Sequence, residues 1–182
     1  MTFLLIGSAA APQAVLFDRD GTIVVDVPYN GDPELVREVE GARQVLDALR
    51  EAGVSVGVVT NQSGIARGLL TRSQVDAVNA RVEELLGPFE VWEVCPHGAG
   101  DGCACRKPEP GMVLSASRRL GIDPSNVALI GDIGADVDAA EAAGARGVLV
   151  PTGVTRPEEI EAAELVAPDL AGALELLWGT AR

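Results

Sequence analysis

Aromatic side chains make up only 3% of the 182 residues. Val, Leu, Ile and Ala therefore have to fill the core of a chain long enough to bury one. Basic residues are also scarce: 14 Lys and Arg stand against 27 Asp and Glu, a formal charge of −13. A surface of that sign repels phosphate backbones, which argues against nucleic acid as a partner. Any phosphate site on such a chain needs local cations or a metal. Long apolar runs are missing as well. Phe3 to Ile6 is too short for a signal h-region and no positive charge precedes it, and nothing approaches a membrane span. The expectation is a cytoplasmic monomer with no membrane partner, whose residues 1–13 form a flexible tail or an extra edge strand. Histidine occurs once, at His97, which leaves a phosphohistidine route without support.

What is present is an alternation of short apolar runs with helical stretches. Ala14 to Phe17, Val54 to Val59, Val91 to Val94, Val127 to Ile130 and Val148 to Val150 have strand length and are largely β-branched. Gly41 to Ala52, Arg72 to Leu86, Met112 to Leu120, Ala135 to Ala143 and Leu170 to Trp178 read as helices, with another after Pro157. Continuous apolar strands between helices predict a parallel sheet covered on both faces, an α/β/α sandwich of Rossmann-like type. Residues 14–182 are expected to form a single domain. Ligands in such folds bind at the carboxyl ends of the strands.

Chemistry-bearing residues stand at those ends. The first strand runs into Asp18-Arg19-Asp20-Gly21-Thr22, and side chains two apart on an extended segment point the same way. Asp18 and Asp20 could share a hard cation such as Mg²⁺, although a surface turn would use the same residues. The second strand ends in Thr60-Asn61-Gln62-Ser63-Gly64, donors suited to phosphate oxygens or to capping a loop. The fourth ends in Gly131-Asp132-Ile133-Gly134-Ala135-Asp136, adding two carboxylates. Arg106-Lys107-Pro108 supplies cations, with Pro108 suited to the start of the next helix and Lys107 expected at the edge of the site. A carboxylate nucleophile with a second carboxylate as acid–base catalyst fits this set.

All three cysteines and the histidine fall within eleven positions, Cys95, His97, Cys103 and Cys105. Four such ligands predict a closed, structural Zn²⁺ site that staples the loop 95–105 and holds Arg106 and Lys107 behind the last ligand.

In order along the chain, DRDGTI, TNQSGIARG, a C-P-H segment, C-x-C-R-K-P-x-P-G-M and GDxxxD resemble the haloacid dehalogenase superfamily of phosphatases. Within it, they are similar to the group acting on D-glycero-D-manno-heptose 1,7-bisphosphate and histidinol phosphate. The resemblance implies Asp18 as nucleophile and Asp20 as general acid–base, with Thr60 and Lys107 stabilising the phosphoryl group. It implies Mg²⁺ held by Asp18, the backbone carbonyl of Asp20 and Asp132, with Asp136 in support. Asp26, Tyr29, Asn61, Gln62, Ser63 and Arg106 would contact substrate. The intervals Thr22 to Gly41 and Leu86 to Arg106 are too short for a cap domain, so a capless, open site is expected. The implied substrate is a small phosphorylated metabolite, with heptose 1,7-bisphosphate (7-phosphate removal) first and histidinol phosphate second. Ile133 stands where heptose-group relatives often carry Lys, and the five residues between His97 and Cys103 are closer to the histidinol enzymes. An inactive phosphate- or zinc-binding module is opposed because a binder would not need both Asp18 and Asp20. A nucleic-acid 3′-phosphatase is opposed by the acidic surface.

Overall fold

The computed structural model of the protein describes residues 11–179. Most of the expected N-terminal tail thus lies outside the described residues. Five strands form one all-parallel sheet: β1 (Ala14–Phe17), β2 (Ser55–Asn61), β3 (Val91–Cys95), β4 (Val127–Gly131) and β5 (Arg146–Leu149), in the order β3-β2-β1-β4-β5. The chain moves outward from β1 to β2 and β3, then crosses back to place β4 on the other side of β1. This reversal opens a crevice at the carboxyl ends of β1 and β4.

Alternation along the strands divides the core between the two faces. Val15, Phe17, Val56 and Val58 meet Leu46 and Leu49 of α1 (Ala42–Glu51), Val78 and Val82 of α2 (Arg72–Leu86), and Leu174 and Leu177 of α6 (Leu170–Trp178). Leu16, Val59, Val127 and Leu129 meet Met112, Val113 and Ala116 of α3 (Gly111–Leu120), and Ala139 and Ala140 of α4 (Gly134–Ala142). The segment after Pro157 is the short helix α5 (Pro157–Ala162). A reciprocal cap starts α2: Gln74 N–H donates to Thr71 Oγ1 at 3.2 Å, and Thr71 N–H to Gln74 Oε1 at 2.9 Å. The result is the three-layer α/β/α sandwich the apolar pattern predicts, without a cap domain among the described residues, as the short intervals predict.

Boundaries move where polar residues extend the ladders. β2 continues through Thr60 and Asn61, because both pair with β3, so these residues belong to the strand end rather than to the loop. β3 likewise reaches Cys95. Pro108 does not begin a helix; α3 starts at Gly111, whose N–H donates to Ala104 O at 3.0 Å. A Cβ at Gly111 would lie 2.1 Å from that oxygen, so only glycine lets the two segments approach this closely.

Candidate active site

The crevice between β1 and β4 leads to a cavity of about 380 Å³. Asp18, Asp20, Asp26, Tyr29, Thr60, Asn61, Gln62, Ser63, Arg106, Lys107 and Asp132 all line it. Sequence-predicted residues from four separate segments thus share one cavity, with Asp136 packed against its floor through Lys107.

Three carboxylates converge at the floor. Asp18 follows β1, Asp132 follows β4 and Asp136 sits in the first turn of α4, with a carboxylate oxygen from each within 4.8 Å of the others. Asp136 is wholly buried and the other two nearly so. The turn after β1 lets them close up, because Gly21 has φ +81° and a Cβ there would lie 2.3 Å from Asp132 Oδ2. Burial pushes the Asp18 carboxyl up to about 7, with Lys107 pulling it down and Asp136 and Asp20 adding to the rise. Burial and then Asp136 push Asp132 up to about 6.

Lys107 is the only lysine in the chain. It sits on the floor of the site, not at its edge as the Arg106-Lys107-Pro108 reading had it. The side chain is 2% exposed and its ammonium meets Asp18 Oδ1 at 2.8 Å, Asp136 Oδ1 at 2.6 Å and Val59 O at 2.9 Å. Burial opposes the charged ammonium, but Asp136 and Asp18 more than offset this and raise its pKa. Its backbone is fastened to the end of β2: Lys107 N–H donates to Asn61 Oδ1, and Asn61 Nδ2 donates back to Lys107 O, both at 3.1 Å.

Three carboxylates facing one ammonium leave two negative charges uncompensated when all are ionised. All-oxygen donors, buried and mutually repelling, fit a divalent hard cation. A raised carboxyl pKa gives the sign of the pH effect. Without metal, the stability these groups contribute is present below their ordinary pKa of 3.8 and is lost as pH rises through about 6 and 7. Mg²⁺ reverses the balance by favouring the ionised forms. Thermal unfolding with and without Mg²⁺ should therefore show stabilisation by the metal growing from about pH 5 to about pH 8. A stabilisation independent of pH would contradict this cluster as the metal site.

Asp20 lies apart from that cluster. Arg19 Nε donates to its Oδ1 at 3.0 Å and Arg19 Nη2 to its Oδ2 at 2.8 Å. Gln62 Nε2 donates to Asp20 Oδ2 at 2.8 Å and to Thr60 Oγ1 at 2.9 Å. With its oxygen already accepting from Gln62, Thr60 has its own O–H free to donate toward the cavity. Arg19 and the bridging role of Gln62 escape a reading of the motifs, which treats the residue between the two Asp as a spacer. A basic residue flanked by two acids in a chain short of cations was the available signal. Thr152 and Thr155 were also missed: they donate to Asp132 Oδ2 (3.3 Å) and to the Asp132 carbonyl.

On the rim, Tyr29 takes a left-handed backbone (φ +52°) and accepts a hydrogen bond from Arg67 at 2.8 Å. Arg106 Nη1 reaches the His97 carbonyl at 3.3 Å.

Beside this wall, Cys95, His97, Cys103 and Cys105 draw together. Their sulfur–sulfur separations are 3.2, 3.5 and 3.8 Å, and His97 Nδ1 lies 3.5 Å from Cys95 Sγ and 3.2 Å from Cys105 Sγ. Thiolates bound to a tetrahedral zinc at about 2.3 Å stand about 3.8 Å apart, so the four residues fit such an ion. Burial opposes ionisation at Cys103, but the N–H groups of Arg106 and Cys105 win and lower its thiol to about 7. Burial and the neighbouring sulfurs push Cys105 up to about 12. A cation would collect the negative charge that Cys105 now resists.

Similarity to known proteins runs over the same residues. A HAD-hydrolase-like family model matches residues 104–173. The chain is 36% identical over 171 residues to the D-glycero-beta-D-manno-heptose-1,7-bisphosphate 7-phosphatase of Pseudomonas aeruginosa, covering 90% of this chain and 96% of that one. It is 37% identical over 176 residues to the Escherichia coli K12 protein of the same name, covering 90% and 92%. Among solved structures, the D,D-heptose 1,7-bisphosphate phosphatase of B. bronchiseptica, complexed with magnesium and phosphate, aligns with a TM-score of 0.80. It is 34% identical and is covered over 97% of its length, against 90% of this chain. Shared over nearly the whole of each chain, this likeness places the protein in the haloacid dehalogenase superfamily of phosphatases, as a phosphoric monoester hydrolase.

Proposed function

We propose that the protein removes the 7-phosphate of D-glycero-D-manno-heptose 1,7-bisphosphate through an aspartyl-phosphate on Asp18. The observation that carries the chemistry is the meeting of Asp18 with Asp132, Asp136 and Lys107 on the floor of one open cavity. The choice of sugar rests on the named relatives.

In this reading Asp18 attacks phosphorus through a carboxylate oxygen. Asp20 gives a proton to the departing ester oxygen, then takes one from the water that cleaves the aspartyl-phosphate. Thr60 donates its hydroxyl to the phosphoryl oxygens, and Lys107 balances the floor of the site. Asp18, Asp132 and the carbonyl of Asp20 hold Mg²⁺, with Asp136 in support, and the ion supplies positive charge beside the transferring group. Asp26, Tyr29, Asn61, Ser63 and Arg106 face the rest of the substrate. Asn61 and Gln62 also brace Lys107 and Asp20 from behind. Phosphate release from heptose 1,7-bisphosphate, histidinol phosphate and simple sugar monophosphates, with and without Mg²⁺, tests the reading. The highest kcat/KM should fall on the heptose bisphosphate and vanish without metal; a preference for histidinol phosphate would overturn the substrate assignment.

The same reading gives the cysteine cluster a structural Zn²⁺. Its job is to hold the turn that carries Arg106 and Lys107, directly after Cys105. Purified protein should contain stoichiometric zinc. Removing it should abolish turnover and expose the 96–106 segment to proteolysis, while the sheet stays folded. Full activity after verified zinc removal would refute this role.

A further inference from the structure

Arg19 is the largest side chain among the fully buried residues, and burying a guanidinium is costly unless its charge and donors are met. Here the donors are met in a particular way. Nε and Nη2 form a two-pronged bond to the Asp20 carboxylate, and Nη1 donates to Asn79 Oδ1 at 2.6 Å. Asn79 lies on α2, a half-exposed position sixty residues away. The guanidinium is planar, so two prongs on Asp20 and a third on a helix fix the plane of the carboxylate against the scaffold. Lysine could not reproduce this.

The acceptor count adds a second point. A carboxylate offers about four lone-pair positions, two on each oxygen. Among the described residues, Asp20 Oδ2 accepts from both Arg19 and Gln62, whereas Oδ1 accepts from Arg19 alone. The side chain is 26% exposed, toward the cavity.

We propose that Arg19 and Asn79 are positioning residues for Asp20, fixing its plane so that Oδ1 is the atom that exchanges the proton. This rests on the reading of Asp20 as the acid–base group. As the bond from Asp18 to phosphorus forms and the ester P–O bond breaks, the proton on Oδ1 passes to the leaving oxygen, releasing the alcohol. In the second half, water oxygen bonds to phosphorus, its proton returns to Oδ1, and the Asp18–phosphorus link breaks to release phosphate. Gln62 holds Asp20 and Thr60 on the same amide nitrogen, so the proton donor and the phosphoryl donor are set in one register.

The test compares two leaving groups. A sugar phosphate needs a proton on its departing oxygen; p-nitrophenyl phosphate leaves without one. Because kcat/KM reports the steps up to departure of the leaving group, it isolates the first proton transfer. Loss of general acid catalysis costs about 10²- to 10⁴-fold. Asn79→Ala is expected to lower kcat/KM for the sugar phosphate about 5- to 10-fold, and Arg19→Lys about 100-fold. The aryl phosphate should change less than about threefold in both, with the fall on the sugar carried by kcat rather than KM. Equal losses on the two substrates would mean a merely structural role, and unchanged kinetics would mean none; either overturns the proposal. Asn79→Ala, on an accessible helix face, keeps the test valid if Arg19 variants fail to fold. Asp20→Asn separates the layers. If it shows the leaving-group signature and the Arg19 and Asn79 variants do not, this inference alone fails. If Asp20→Asn behaves as the parent, the acid–base reading fails with it.

Discussion

Asp18→Asn is expected to cut turnover by about 10⁴-fold or more, equivalent to at least about 5.5 kcal/mol of transition-state stabilisation. The amide keeps the shape and can still accept from Lys107, so the fold should survive. What it cannot do is attack phosphorus, and no other group is placed to replace it. The Asp132 and Asp136 carboxylates are engaged with Thr152 and Lys107 respectively, Asp20 is held by Arg19 and Gln62, and His97 belongs to the cysteine cluster. The loss should fall on kcat, with phosphate still binding in a titration. Activity within about tenfold of the parent would mean that another nucleophile operates.

Lys107→Met is expected to harm both stability and activity. Methionine fills much the same volume but leaves Asp18 and Asp136 buried without their ammonium, and an uncompensated buried charge costs about 3–5 kcal/mol. Denaturant unfolding in the absence of Mg²⁺ should show a loss of that order. Turnover in saturating Mg²⁺ should fall about 10²- to 10³-fold, the range for removing a fixed charge next to developing anionic oxygens. Part of the stability should return in Lys107→Met/Asp136→Asn, because the second change removes one stranded carboxylate. The double variant would thus be less destabilised than the sum of the two singles. Additive effects would mean that the pair in the structure is not energetically coupled.

The architecture was legible because the strands are short apolar runs and helices such as α1 and α2 have a clear apolar stripe. The convergence of Asp18, Asp132 and Asp136 was legible too, since a parallel sheet gathers its strand ends at one edge. Depth was harder to read. Lys107 follows a loop of glycines and polar residues, and the pairing of Asn61 with its backbone helps carry it under Asp18 rather than out to solvent. The partition of labour around Asp20 was also hidden. Local spacing aims Asp18 and Asp20 the same way, but Arg19 and Gln62 draw the second carboxylate to a different wall. The Gln62–Asp20 and Arg19–Asn79 bonds join positions forty-two and sixty residues apart, which no local pattern reports. Gly111 fails as a sequence signal for a related reason: its need comes from the Ala104 carbonyl across the loop.

Ile133 and Val154 are apolar residues lining the cavity, while Arg106 and Tyr29 stand among its polar lining residues. With no cap to close over it, the cavity leaves room for the distal end of an extended sugar, consistent with a bisphosphate whose far phosphate stays near solvent.

The covalent phosphate proposed on Asp18 is tested most directly by quenching the enzyme during turnover with Mg²⁺ and substrate, reducing with borohydride, and mapping peptides by mass spectrometry. An acyl phosphate at position 18 should be converted to homoserine there, in amounts that track turnover and disappear in Asp18→Asn. Homoserine at Asp20 or Asp132, or none at any carboxylate through a complete single-turnover time course, would contradict the account.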